Sequence, residues 1–142
     1  MPTISLIFAA AAVLLNIWLG IRCGQRRTAA KVSHGDGGDV LLARRMRAQL
    51  NFAENAPLTL LLFLILELTG ASATFLWVMA GAFLLARVLH PIGMDAEKGH
   101  PARMAGTVLT LLVQVILAGY ALYSGYQLFQ LTDLPASIGG SA

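Results

Sequence analysis

Four long apolar runs constrain this chain more than any other feature. They cover residues 4–21, 56–68, 71–89 and 104–122 and show no period-two alternation. A helix rises about 1.5 Å per residue, so about 18 to 20 residues cover the roughly 30 Å hydrocarbon core of a bilayer. The second run reaches that length only when it is extended back to residue 47, which predicts spans at 4–21, 47–68, 71–89 and 104–122. Lipid offers the backbone no hydrogen-bond partner, so only helices and closed barrels span it, and no ten-residue alternating segments argue for a barrel. The expectation is an all-α integral membrane protein, a single domain built as a bundle of four transmembrane helices. A composition of 57% hydrophobic and 12% charged residues excludes an ordinary soluble domain, where about 25% are charged. The first run is kept as a helix rather than a signal peptide, because no basic residue precedes it and arginines follow it in place of a small-residue cleavage site.

The basic residues set the expected orientation. Arg22, Arg26, Arg27, Lys31, Arg44, Arg45 and Arg47 lie between spans one and two, and Arg87, Lys98 and Arg103 lie at or between the ends of spans three and four. The N-terminus, the turn at 69–72 and the tail at 131–142, expected to be flexible, carry no Lys or Arg. The positive-inside rule then places both termini outside and both basic loops in the cytoplasm. In the first basic loop Gly35, Gly37 and Gly38 mark a turn, and a helical pattern starts at Val40 and runs into span two. These glycines follow no strand and precede no Lys-Ser or Lys-Thr pair, so they do not read as a phosphate loop. Despite a pI near 9.5, nucleic acid is excluded as a partner because the basic residues track a membrane face without interleaved aromatics. The single Cys23 excludes an intrachain disulfide framework, and His34, His90 and His100 are too dispersed for a metal site.

The candidate site lies where span two begins. In RAQLNFAENAP, Arg47, Asn51 and Glu54 are spaced i, i+4 and i+7 and project from one stripe of a helix. Ionisable groups near membrane depth face a partner or a cavity. Pro57 cannot donate to the carbonyl of Ala53, so a kink with a free acceptor is expected there. Span three ends in ARVLHPIGM, with Arg87, His90 and Met94 again on one face, and Arg103 stands at the mouth of span four. Asn16, Glu67 and Gln114 read as interhelical hydrogen-bonding or interfacial groups. Guanidinium groups suit carboxylates, a carboxylate suits an ammonium and an amide suits a peptide bond, so the gathered side chains describe a site for a small zwitterionic peptide.

RAQLNFAENAP followed by LARVLHPIGM resembles the MAPEG family, the membrane-associated proteins in eicosanoid and glutathione metabolism, and the GDGG turn is similar to its bacterial members. The resemblance implies a homotrimer in the bacterial inner membrane, with glutathione bound as co-substrate between subunits near the cytoplasmic face. It implies that Arg47, Asn51 and Glu54 hold the tripeptide, that His90 lines the pocket, and that Arg103 contacts the sulfur. One of Arg22, Arg26 or Arg27 would reach in from the neighbouring subunit. A fixed charge beside a thiol whose ordinary pKa is about 8.5 favours the nucleophilic thiolate, so Arg103 is the candidate catalytic residue. A lipophilic electrophile or lipid would approach between helices, with Leu58, Leu61 and Phe83 as walls. The eicosanoid enzymes carry tyrosines where this chain has His90, Met94 and Thr107. The expected activity is therefore a glutathione transferase or peroxidase acting on lipophilic electrophiles, with Thr107, Thr110 or His100 as substitute contacts. A non-catalytic relative of this fold binding glutathione or lipid would need no arginine at the sulfur. A small four-helix multidrug exporter would need a carboxylate in span one, where this chain has Asn16.

Overall fold

The structure, a computed structural model, describes residues 1–96 and 99–132. Four helices follow one another: α1 (Thr3–Ala29), α2 (Val40–Leu68), α3 (Ala73–Asp95) and α4 (Pro101–Thr132), and no strand occurs among the described residues. Each helix is long and apolar enough to cross a membrane, and the protein is an all-α, four-helix integral membrane protein. All four helices outrun their apolar runs, because hydrogen bonding within a helix continues past the hydrocarbon edge wherever flanking residues are helix-compatible. Beyond residue 132 the expected tail lies outside the described residues, as does Lys98.

The turns explain the antiparallel order. Gly35, Gly37 and Gly38 adopt positive φ values of 62°, 57° and 80°, a region that costs glycine little. Asp39 then caps α2, its carboxylate accepting the Leu42 N–H at 2.8 Å. Gly70, at φ 85°, turns α2 into α3. The core runs along the bundle axis through Phe8, Leu19, Phe52, Phe63, Leu66, Leu76, Phe83, Val113 and Leu117. Phe8 stands at its centre, with Phe63 at 4.5 Å and Phe83 edge-on at 5.6 Å between ring centroids. Phe83 is therefore part of the core and cannot wall a lipid path, whereas Leu58 and Leu61 are exposed as expected.

Both internal prolines are carried without ending their helices: α2 continues through Pro57 and α3 through Pro91. At the end of the bundle away from the arginines, the expected interhelical role of Glu67 takes an unusual form. Its two carboxylate oxygens accept the backbone N–H groups of Ile4 at 2.8 Å and Ser5 at 2.6 Å. The first turn of α1 has no cap of its own, since Pro2 makes no side-chain cap bond. A residue of α2 thus satisfies the orphan donors of α1 and places a negative charge at the positive end of its dipole.

Candidate functional site

The basic end of the bundle is organised by a close crossing of α3 and α4. Gly106 makes it possible: a Cβ there would stand 2.7 Å from both the Ala86 carbonyl oxygen and the His90 nitrogen. Gly93 does the same one turn further on, where a Cβ would run into the Arg103 backbone. The two glycines bring α4 onto the face of α3 that carries Ala86, His90 and Gly93 and seat the Arg103 backbone against it. The sequence reading missed both; two glycines at facing helix ends were the available signal.

Into this crossing α3 projects Arg87, only 2% exposed. Its guanidinium donates to Asn51 Oδ1 at 2.8 Å, to the Gly106 carbonyl at 3.2 Å and to Thr110 Oγ1. Thr110 in turn donates to Gly106 O at 2.7 Å. His90, 7% exposed, lies one turn along, and the guanidinium groups of Arg87, Arg103 and Arg47 all act electrostatically on its ring. The structure thus brings together Arg47, Asn51, His90 and Arg103 from three helices. Glu54 joins them along α2 and forms an exposed 3.7 Å pair with Arg47.

Asn51 begins a polar seam that runs inward between α2 and α4. The Asn55 amide donates to the Asn51 carbonyl at 2.7 Å, and Gln114 on α4 donates to Asn55 Oδ1 at 3.2 Å and Thr59 Oγ1 at 3.0 Å. Gln114 therefore holds helices together as the sequence suggested. Of the three substitute contacts named from the sequence, Thr110 joins the cluster through Arg87, and the other two bond within α4 or at its start. Thr107 hydrogen-bonds to the Arg103 carbonyl within its own helix, and exposed His100 accepts the Ala102 N–H at the start of α4.

The three span-one arginines occupy distinct positions. Arg22 pairs with Asp95 at 2.7 Å, donates to the Pro91 carbonyl at 3.2 Å and lies 4.7 Å over the Trp18 ring. Arg26 pairs with Asp39 at 2.6 Å. Arg27 donates to the Gly35 carbonyl and lines an open groove of about 840 Å³ between α1 and α2 together with Arg47, Gln49, Leu50 and Asn16. Arg27 thus shares a cavity with Arg47 of the α2 stripe. Arg45, which the sequence reading did not single out, joins Arg22 on Asp95 at 3.0 Å and ties α1, α2 and α3 together. Asn16 and Ala53 continue the groove into a smaller apolar cavity, about 210 Å³, beside Phe52 and Pro57.

A family model described as the MAPEG family matches residues 5–123. The chain belongs to the MAPEG family. It is similar to the inner membrane protein YecN of Escherichia coli strain K12, 25% identical over 115 residues that make up 80% of this chain and 88% of that protein. The protein of the same name from Escherichia coli O6:H1 matches to the same extent. No solved structure gives a significant match. Membership places the chain among the membrane proteins of glutathione and eicosanoid metabolism. The match spans the Arg47–Asn51–Glu54 stripe, His90 and Arg103, so every member of the α2–α3–α4 cluster falls inside the family region.

Proposed function

We propose that this MAPEG protein is a glutathione-dependent transferase or peroxidase of the bacterial inner membrane, acting on lipophilic electrophiles as a homotrimer. The observation that carries the reading is the cluster at the basic end: Arg47, Asn51 and Glu54 on α2, beside His90 on α3 and Arg103 on α4. The tripeptide needs cations for its carboxylates, an anion for its ammonium and an amide for its backbone, and the cluster supplies each. Arg47 and Glu54 are 60% and 47% exposed, and the groove carrying Arg27, Asn16 and Gln49 is open as well. Polar groups on the outside of a membrane bundle call for a protein neighbour, which supports a site completed between subunits. Arg27 is the residue best placed to reach such a neighbour, because it lines the open groove and makes no ion pair with a carboxylate among the described residues, whereas Arg22 and Arg26 are paired with Asp95 and Asp39.

In this reading Arg103 lies against the glutathione sulfur and favours thiolate, which attacks an electrophile arriving from the bilayer. The inner-membrane location follows YecN, and the cytoplasmic orientation follows the crowding of cations at one end. The test is isothermal titration of reduced glutathione into the detergent-purified protein and into an Asn51→Ala, Glu54→Ala double variant. Binding by the wild type that is lost in a folded double variant supports the site. Absence of binding to the wild type overturns the glutathione reading.

A further inference from the structure

The guanidinium of Arg87 is buried in a membrane bundle and forms no ion pair with a carboxylate among the described residues. An ionised group at such depth without a counter-charge is expensive, and a methionine or leucine would fill the volume more cheaply. What Arg87 does there can be read from its partners.

An arginine has donors and no acceptor. The atom of Asn51 that meets Arg87 is therefore the amide oxygen, and the contact itself fixes the orientation of the amide. The other branch, the NH2 group, is directed away from Arg87. It makes no hydrogen bond among the described residues, nor is it a buried orphan, since the unpaired buried side-chain atoms are Ser5 Oγ and Arg87 Nε. The guanidinium cannot swing to release Asn51, because its other nitrogen is anchored on the Gly106 carbonyl and Thr110 at the crossing that Gly106 holds closed.

We propose that Arg87 is a positioning residue: it locks the Asn51 amide so that only its NH2 group faces the ligand, which makes this part of the site selective for a hydrogen-bond acceptor. The inference rests on the glutathione reading above and sharpens it. Asn51 meets a carbonyl or carboxylate oxygen of the tripeptide and refuses an N–H or ammonium group at the same place. The discrimination comes from a residue that does not touch the ligand.

The test uses the full chain in detergent. Asn51→Asp hands Arg87 a carboxylate and removes the NH2 group, so the two effects run in opposite directions. The thermal midpoint rises by about 2 to 4 °C, and reduced glutathione binds about 100-fold more weakly. The rise disappears when Arg87→Gln is added. Arg87→Lys, which keeps the charge and gives up the two-pronged donor, binds glutathione about tenfold more weakly with its fold retained. A midpoint that does not rise in Asn51→Asp, or a rise that survives Arg87→Gln, overturns the pairing. Glutathione affinity unchanged in Asn51→Asp or in Arg87→Lys overturns the donor role. Wild-type protein that binds no glutathione overturns the functional reading alone, and the melting experiments then decide independently whether Arg87 holds Asn51.

Discussion

The two ends of the bundle are stabilised by different chemistry. At the basic end, Arg22 and Arg45 share Asp95, Arg26 holds Asp39, and Arg87 is held by neutral oxygens alone. Arginines there outnumber carboxylates, and the surplus is concentrated around His90. At the opposite end, Glu67 joins α1 to α2 while the aromatic contacts of Phe8, Phe63, Phe75 and Tyr120 fill the space between helices. An end built only to hold helices together would match its charges, as the Glu67 cap does. Among the described residues Arg87 has no carboxylate partner at the basic end, and that is the end proposed above to receive glutathione.

If that contrast is right, the largest effect belongs to Arg103. Arg103→Ala should lower the rate of glutathione conjugation to a lipophilic electrophile by about 100-fold or more while leaving glutathione affinity within a few-fold. Unchanged turnover would remove Arg103 from the chemistry and blur the distinction between the ends. The opposite end should respond in stability instead. Phe63→Ala opens a cavity beside Phe8 in a fully buried position and should destabilise the bundle by about 3 kcal/mol, read from thermal unfolding in detergent, with glutathione affinity preserved in the folded fraction.

Glu67→Gln is a milder probe of the same end. Its amide still accepts one N–H from α1 but loses the charge at the helix start, so a loss of about 1 kcal/mol is expected, with faster amide exchange confined to the first turn of α1. Smallest is the pH response of the loop clamp. Asp39 lies just before α2, and its hydrogen bond from Arg26, helped by the Leu42 N–H, holds its carboxyl below the ordinary 3.8. A depressed carboxylate contributes stability that is fully present above the unfolded value and lost as pH falls through the folded one. Amide protection in the first turn of α2 should therefore persist at pH 5 and fail below pH about 3.8, and Asp39→Asn should remove that dependence.

The helices were legible in the sequence because each is declared locally, by an apolar run and by turn glycines at 35, 37, 38 and 70. The stripe of Arg47, Asn51 and Glu54 was legible for the same reason, since spacing along one helix fixes a face. Pairings between helices were not. Nothing local says that Arg22 and Arg45 meet Asp95, or that Arg87 reaches Asn51 across 36 residues. Those contacts depend on the axial register of α1, α2 and α3, which no residue declares locally, and the glycines that seat α4 on α3, Gly93 and Gly106, do not announce their partner either. Arg87 was placed correctly on the face of His90, yet its burial follows from how closely α4 approaches.

The Glu67 cap also has a meaning for biosynthesis. The donors at Ile4 and Ser5 precede their acceptor by 63 and 62 residues. At translation rates of about 5 to 20 residues per second, α1 leaves the ribosome about 3 to 12 s before the carboxylate that completes its first turn has been made. Through that interval the nascent first helix depends on water, headgroups or a chaperoning partner for those amides, so closure of the α1–α2 hairpin is a natural checkpoint in the protein's assembly.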